Sequence, residues 1–243
     1  MKKIIYISFV FITVLFASCE YDNYDAPSLE FKGKLTYNGE NFLFDGNRGL
    51  LKVYQSGFGK QDNGTEIRID NNGEFKQLLY AGNYRLTPDN RRYPFEFKDF
   101  KPQAVGYDSM HIDLKKNIEI NFAVIPYYTL NNFTTTLEGE NMVMRFRVSK
   151  VSGTDRPAPK IIRARCYVGT SVIVNSWNQC TTAINVEISE QGEIEIAIPV
   201  SEYRSKYVNN FRTYAFCRAA IELENIPDYY LFTEIKKLEG IPE

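Results

Sequence analysis

Apolar and polar residues alternate with a period of two over most of the chain after residue 28, which is typical of half-buried β-strands. LEFKGKLTY places Leu29, Phe31, Leu35 and Tyr37 on one face. Similar segments are TEIRID, FKQLLYAGNYRLTP, NIEINFAVIPYY, MVMRFRVSK, KIIRARCYVG, GEIEIAIPV, FRTYAFCRAAIEL and YYLFTEIKK. No amphipathic helix longer than two or three turns is indicated. The pattern therefore predicts an all-β chain.

Some turns and strand faces can be predicted in more detail. The Asn72-Gly73 pair fits a tight hairpin turn, because both residues tolerate positive φ angles. AINVEISEQGEIEIAIPV is predicted to form a hairpin with Ile184, Val186 and Ile188 on one arm and Ile194, Ile196 and Ile198 on the other. KIIRARCYVG is predicted to bury Ile162, Ala164, Cys166 and Val168 opposite Arg163, Arg165 and Tyr167.

Short strands separated by Gly, Asn and Pro every ten or so residues are typical of β-sandwiches. We divide the chain near Pro126 into two tandem sandwiches, residues 29–126 and 127–243, each about a hundred residues long. Residues 93–116 are the least strand-like part of the first sandwich. Their aromatic residues either cover an edge of the core or belong to a long functional loop: Tyr93, Phe95, Phe97 and Phe100.

Residues 1–18 have the features of a secretory signal peptide. Lys2 and Lys3 precede an apolar stretch from Ile4 to Phe16, and small residues follow it. The stretch is shorter than the ~20 residues that span a bilayer. FASC resembles the lipobox of bacterial lipoproteins, which implies that Cys19 carries the lipid and becomes the first mature residue. The alternative is a cysteine that lies near a cleavage site by chance.

Residues 19–28 are predicted to form a flexible acidic tether. EYDNYDAPS combines three carboxylates with little apolar surface, so it has little reason to fold. It is similar to the acidic export signal of Bacteroidetes lipoproteins, although a plain acidic linker is the alternative. The similarity implies a protein anchored in the outer membrane by its lipid and facing the cell exterior.

The charge balance argues against nucleic acid as a partner. The chain has 29 basic and 30 acidic residues, whereas a nucleic-acid-binding domain has a strong basic excess. Apart from Cys19, the cysteines are Cys166, Cys180 and Cys217, an odd number that does not indicate a disulfide framework. Cys166 and Cys217 could face each other on neighbouring strands or act as small buried apolar residues. No Cys/His spacing predicts zinc, and no cofactor is predicted.

No catalytic residues are predicted, and we expect the protein not to be an enzyme. His111 is the only histidine and would be needed for a Ser-His-Asp triad, yet no Gly-x-Ser-x-Gly motif accompanies it. Most carboxylates alternate outward on strands, which favours solubility over paired-carboxylate catalysis. The segment DSM resembles the O-glycosylation motif of Bacteroidetes and makes Ser109 a candidate site, with chance occurrence as the alternative.

Two places could bind a glycan. Trp177, the only tryptophan, lies in VNSWNQC between Asn175 and Asn178, and an aromatic ring beside amides suits a sugar. The alternative is a tryptophan packed against its own domain, since large aromatic side chains are mostly buried. Tyr127 and Tyr128, at the domain junction, are the second candidate, with interdomain packing as the alternative.

NGEFKQLLYAGNYRLTP resembles the signature of transthyretin-like and carboxypeptidase-regulatory-like sandwiches. Together with INFAVIPYY, it resembles a Bacteroidetes family of two-domain lipoproteins of unknown function, whose second domain looks immunoglobulin- or fibronectin-like. The resemblance implies a non-catalytic accessory that captures polysaccharide beside an outer-membrane transporter and glycan-binder pair of the starch-utilisation-system type. The alternative is a structural or adhesive surface protein that contacts other proteins and has no glycan site.

Overall fold

The structure is a computed structural model that describes residues 25–46, 49–57, 64–89, 92–178, 181–183, 191–206, 211–227 and 229–242. These residues form nineteen strands and one helix of two turns, so the prediction of an all-β fold is confirmed. Residues 1–18, Cys19 and most of the tether lie outside them. Within these ranges, no helix has the length and apolar character needed to cross a membrane.

The first part of the chain forms eleven strands. They are β1 (Leu29–Tyr37), β2 (Glu40–Asn41), β3 (Phe44–Gly46), β4 (Leu51–Gln55), β5 (Thr65–Ile67), β6 (Glu74–Leu79), β7 (Gly82–Pro88), β8 (Phe95–Phe97), β9 (Met110–Leu114), β10 (Ile118–Glu119) and β11 (Phe122–Pro126). Strand β1 pairs antiparallel with β6 on one side and parallel with β10 and then β11 on the other. The antiparallel sheet β5-β4-β7-β9 adds the second layer.

The second part forms eight strands and the helix. They are β12 (Tyr128–Glu138), β13 (Asn141–Lys150), β14 (Ile161–Gly169), β15 (Thr181–Ala183), β16 (Gly192–Pro199), α1 (Val200–Lys206), β17 (Tyr214–Leu223), β18 (Tyr229–Phe232) and β19 (Lys236–Glu239). One sheet has the order β12-β13-β16, and the other contains β15-β14-β17-β18, with β19 also paired to β17.

One strand of the first part joins a sheet of the second part. Strand β3 pairs antiparallel with β18, so that Phe44 lies opposite Leu231. The Phe44 ring stacks on Tyr229 at 5.5 Å between centroids and meets Phe95 edge-on at 5.3 Å. Side chains from both parts also share one continuous hydrophobic core. The division near Pro126 stays a prediction, and this strand pairing crosses it.

The predicted strand faces agree with the burial along most strands. Strand β13 buries Met142, Met144, Phe146 and Val148, and β16 buries Ile194, Ile196 and Ile198. The four aromatic residues of segment 93–116 are also buried, so they cover the core: Tyr93, Phe95, Phe97 and Phe100. The other predicted hairpin arm, with Ile184, Val186 and Ile188, lies outside the described residues.

Strand β14 differs from its predicted pattern at two positions. The register against β17 shifts between Ile161 and Arg163, which leaves Ile162 46% exposed before the predicted alternation resumes. Tyr167, which we predicted to face outward, is fully buried with Val174, Ala220 and Phe232 in a second small core. The end of β14 is therefore covered on both faces, whereas the alternation pattern predicts one buried face only.

The predicted tight turn at Asn72-Gly73 forms, but the strands on either side of it do not pair with each other. Gly73 has a φ of +78°, but Asn72 does not have a positive φ. The backbone N–H of Asp70 donates to the carbonyl of Glu74 at 2.8 Å, and that of Gly73 donates to the carbonyl of Asp70 at 3.0 Å. Strand β5 pairs with β4 while β6 pairs with β1, so the turn carries the chain from one sheet to the other.

Candidate functional site

The loop of residues 170–178 connects β14 to β15 at one end of the sheet that contains β15-β14-β17-β18. Val168 of β14 pairs with Thr181 of β15, which brings the two ends of the loop together. Gly169 lies opposite Phe216, near the start of β17. The loop and the segment that precedes β17 are therefore at the same end of the sheet.

This loop presents Trp177 to solvent. The Trp177 side chain is 71% exposed, which contradicts the alternative that it packs against its own domain. Val172 and Ile173 are exposed in the same loop, and Phe211, just before β17, is 85% exposed. Exposed apolar residues that are scattered singly over a surface are normal. Several of them at one end of a sheet indicate a contact surface.

Asn175 supports the loop from within. Its side chain is buried, and its Oδ1 accepts the backbone N–H groups of Trp177 and Asn178, both at 2.9 Å. Side-chain amides stabilise tight turns in this way. We predicted that Asn175 contacts a glycan, but its Oδ1 instead binds these two N–H groups and positions the Trp177 backbone. Asn178 is exposed beside Trp177.

Residues Val172, Ile173 and Phe211 were not predicted as part of a site. An apolar side chain on a strand is normally core, and residue type alone does not separate core from surface. The run SVIVNSW did carry a signal, because three consecutive apolar residues between turn formers do not follow strand alternation.

Tyr127 and Tyr128 lie at the junction of the two parts and are buried. The Tyr128 hydroxyl donates to the carbonyl of Pro159 at 2.9 Å, and its fully buried side chain is closed to a glycan. The Tyr127 hydroxyl lies 3.4 Å from Glu96 Oε1. Burial and, to a smaller extent, the negative charge of Glu96 raise the pKa of Tyr127 to about 12.

The remaining predicted residues lie apart from this loop. Ser109 is exposed just before β9, and His111 is exposed on β9 opposite Arg85. Cys166 and Cys217 are buried without a disulfide, and burial raises the pKa of the Cys166 thiol. Cys180 lies outside the described residues. In the described ranges, no three His, Cys, Asp or Glu side chains are grouped to hold a metal ion.

Comparison with solved structures shows the same fold in three proteins from Parabacteroides and Bacteroides species. A DUF3823 family protein from Parabacteroides merdae ATCC 43184 is 21% identical with a TM-score of 0.70, covering 88% of this chain and 100% of its own. A DUF3823 family protein from Bacteroides ovatus ATCC 8483 is 19% identical with a TM-score of 0.66, covering 87% and 99%. A "putative carbohydrate binding protein" from Bacteroides uniformis ATCC 8492 is 15% identical with a TM-score of 0.62, covering 88% and 100%.

Sequence comparison gives one family match. No curated protein sequence matches the chain. Residues 29–125 match the family model for the N-terminal domain of a protein of unknown function, DUF3823. The first part of this chain is therefore similar to the DUF3823 N-terminal domain, and the chain has the fold of solved DUF3823 proteins.

Proposed function

We propose that the protein is a lipid-anchored surface protein that binds polysaccharide through the loop of residues 170–178, as a non-catalytic accessory in glycan capture. The observation that carries this proposal is the exposed ring of Trp177 on a loop that Asn175 supports. A sugar presents an apolar C–H face, which packs on an aromatic ring. Trp177 provides such a ring together with a polar N–H.

The neighbours of Trp177 suit the polar side of a sugar. The exposed amide of Asn178 can donate to and accept from hydroxyl groups, and Ser176 is partly exposed next to the ring. The fold is shared with a Bacteroides uniformis protein described as a "putative carbohydrate binding protein", which supports the same class of ligand.

Membrane attachment is proposed to occur through Cys19. Acylation of one cysteine with several chains gives a lasting anchor, because each buried CH₂ contributes about 0.8 kcal/mol. We place the protein on the exterior face of the outer membrane, beside a transporter and glycan-binder complex. This location rests on the signal peptide and the acidic residues after Cys19.

A protein-contact function is the second candidate. Val172, Ile173 and Phe211 lie at the same end of the sandwich as Trp177, and aliphatic side chains suit a protein surface better than a sugar. In this case the exposed end would bind another surface protein, and no glycan would be held.

Replacing Trp177 with alanine is expected to abolish retention of the full mature chain on polysaccharide affinity gels. The reason is that the substitution removes the exposed ring while leaving the backbone N–H that Asn175 accepts. Migration through gels containing a panel of polysaccharides measures the effect. Tyr80→Ala is the matched control, because Tyr80 is a partly exposed aromatic residue of the first part.

If both variants are retained as well as the wild-type protein, the proposed site is wrong. If the wild-type protein is retained by no polysaccharide but co-purifies with a surface protein through Trp177, the protein-contact function is supported instead. Hydrolysis of a glycan by the pure protein would contradict both.

Replacing Cys19 with alanine is expected to release the protein from membranes, since alanine cannot accept a thioether-linked lipid. Fractionation of cells into membrane and soluble fractions, followed by mass spectrometry of the mature amino terminus, measures the effect. Ser18→Ala keeps the cysteine and serves as the control. Membrane attachment of the Cys19→Ala protein equal to that of the control would refute the anchor.

A further inference from the structure

A concave surface, separate from the loop of residues 170–178, lies at the junction of the two parts of the chain. It is a cleft of about 510 Å³, within the range of about 300–1,000 Å³ that small-molecule sites occupy. Its walls come from the segments before β14 and after β17, from Tyr93 and Tyr107 of the first part, and from Tyr127 at the boundary. Ligand sites occur preferentially at such junctions.

The cleft is separate from the loop that carries Trp177. It lies at the start of β14 and the end of β17, whereas the loop lies at the opposite ends of these strands. Nine residues of β14 span roughly 30 Å in extended conformation. One small ligand therefore does not reach both places.

Hydrogen bonds hold the walls of the cleft in place. Glu96 Oε2 accepts the backbone N–H of Asp155 at 2.7 Å, and its Oε1 accepts that of Arg156 at 2.8 Å. The buried Tyr93 hydroxyl bonds to the carbonyls of Leu50 and Asp89 at 3.1 and 2.9 Å. The cleft is therefore preformed, which reduces the conformational entropy that a ligand would lose on binding.

The lining combines rings with an excess of positive charge. Arg92, Arg156 and Lys160 line the cleft with Glu224, and within the described ranges none of the three cations forms an ion pair with a carboxylate. Tyr107 is only partly buried, so part of its ring faces the open space. Burial raises the pKa of the Tyr107 hydroxyl, and the positive charge of Arg156 lowers it in part, so the guanidinium lies close to this ring.

We infer that the junction cleft is a second saccharide site, specific for a sugar that carries a carboxylate or sulfate group. The sugar ring packs against Tyr107, and the anionic group pairs with the Arg156 guanidinium, whose planar donors match either group. The Glu96 carboxylate accepts the backbone N–H groups of Asp155 and Arg156, and within the described ranges it forms no ion pair with the Arg156 guanidinium. The inference rests on the proposed carbohydrate-binding function for the class of ligand, but it does not depend on Trp177.

Isothermal titration of the full mature chain tests the site with three probes. They are oligogalacturonate, which carries carboxylates, a carrageenan oligosaccharide, which carries sulfates, and a neutral oligogalactoside. We expect at least one anionic probe to bind and the neutral probe not to bind in the cleft. Arg156→Ala should weaken anionic binding about tenfold to a hundredfold, the range for loss of a charged hydrogen bond. Arg147→Ala, an exposed arginine on β13, should have no effect.

The outcomes separate this inference from the proposed function. Anionic binding that depends on Arg156 but survives Trp177→Ala supports the cleft, and the probe that binds identifies the anionic group. Equal weakening by Arg147→Ala, equal binding of the neutral probe to the Trp177→Ala protein, or no anionic binding overturns it. Retention on polysaccharide gels that is lost with Trp177→Ala would, in that case, still support the loop of residues 170–178.

Discussion

Replacing Phe44 with alanine is expected to lower the free energy of unfolding by about 3–5 kcal/mol, the range for deleting a fully buried phenylalanine ring. Phe44 has no exposed surface, and it stacks on Tyr229 while meeting Phe95 edge-on. These rings come from both parts of the chain, so the cavity would open where the parts join. Urea unfolding followed by circular dichroism measures the change.

Phe211→Ala is the matched control for this prediction. Phe211 is 85% exposed, and its loss should change the stability by no more than about 0.5 kcal/mol. Equal destabilisation by the two substitutions would show that Phe44 does not join the two parts of the core in the way we describe.

Replacing Gly33 with alanine is expected to destabilise the protein by more than about 4 kcal/mol, at the upper end of single substitutions. A Cβ at this position would lie 1.7 Å from the carbonyl oxygen of Ile120 and 2.8 Å from the Phe75 ring. The Ile120 backbone cannot move away easily, because its N–H donates to the carbonyl of Lys32 at 2.9 Å. The substitution therefore forces β1 and the connection from β10 to β11 apart.

Gly39→Ala separates this steric effect from backbone strain. Gly39 has a φ of +86°, but no atom lies within 4 Å of the position that an added Cβ would take, so alanine should cost only about 1–2 kcal/mol. Thermal unfolding and the yield of soluble protein compare the two variants. Gly33→Ala with a cost no larger than that of Gly39→Ala would contradict the close approach of Ile120.

The strand faces could be predicted because each sandwich layer has one buried side. Met142, Met144, Phe146 and Val148 follow the period of two and are all buried, although Val143 between them is buried as well. The pattern fails at Ile162, where the register shifts against β17, and at Tyr167, which a second layer of side chains covers. Neither the shift nor the second layer can be predicted from the local sequence. The pairing of β3 with β18 could not be predicted either, because a segment of three residues carries no signal for a distant partner.

The candidate sites could be predicted only in part. The composition around Trp177 pointed to the loop, but its exposure and the supporting role of Asn175 needed the structure. The junction cleft could not be predicted, since Tyr107, Arg156 and Glu224 are far apart in the sequence. Tyr127 was identified at the junction without any indication of the space beside it.

The pairing of β3 with β18 has a consequence for the evolution of the chain. A gene fragment that ends near Pro126 would carry β3 away from the sheet it completes and leave an open edge on β18. Open strand edges promote aggregation, so the remaining fragment, which contains β18, would be a poor unit for recombination with other genes. Shuffling would therefore tend to move both sandwiches together, and relatives of this chain are expected to keep the two side by side in one polypeptide.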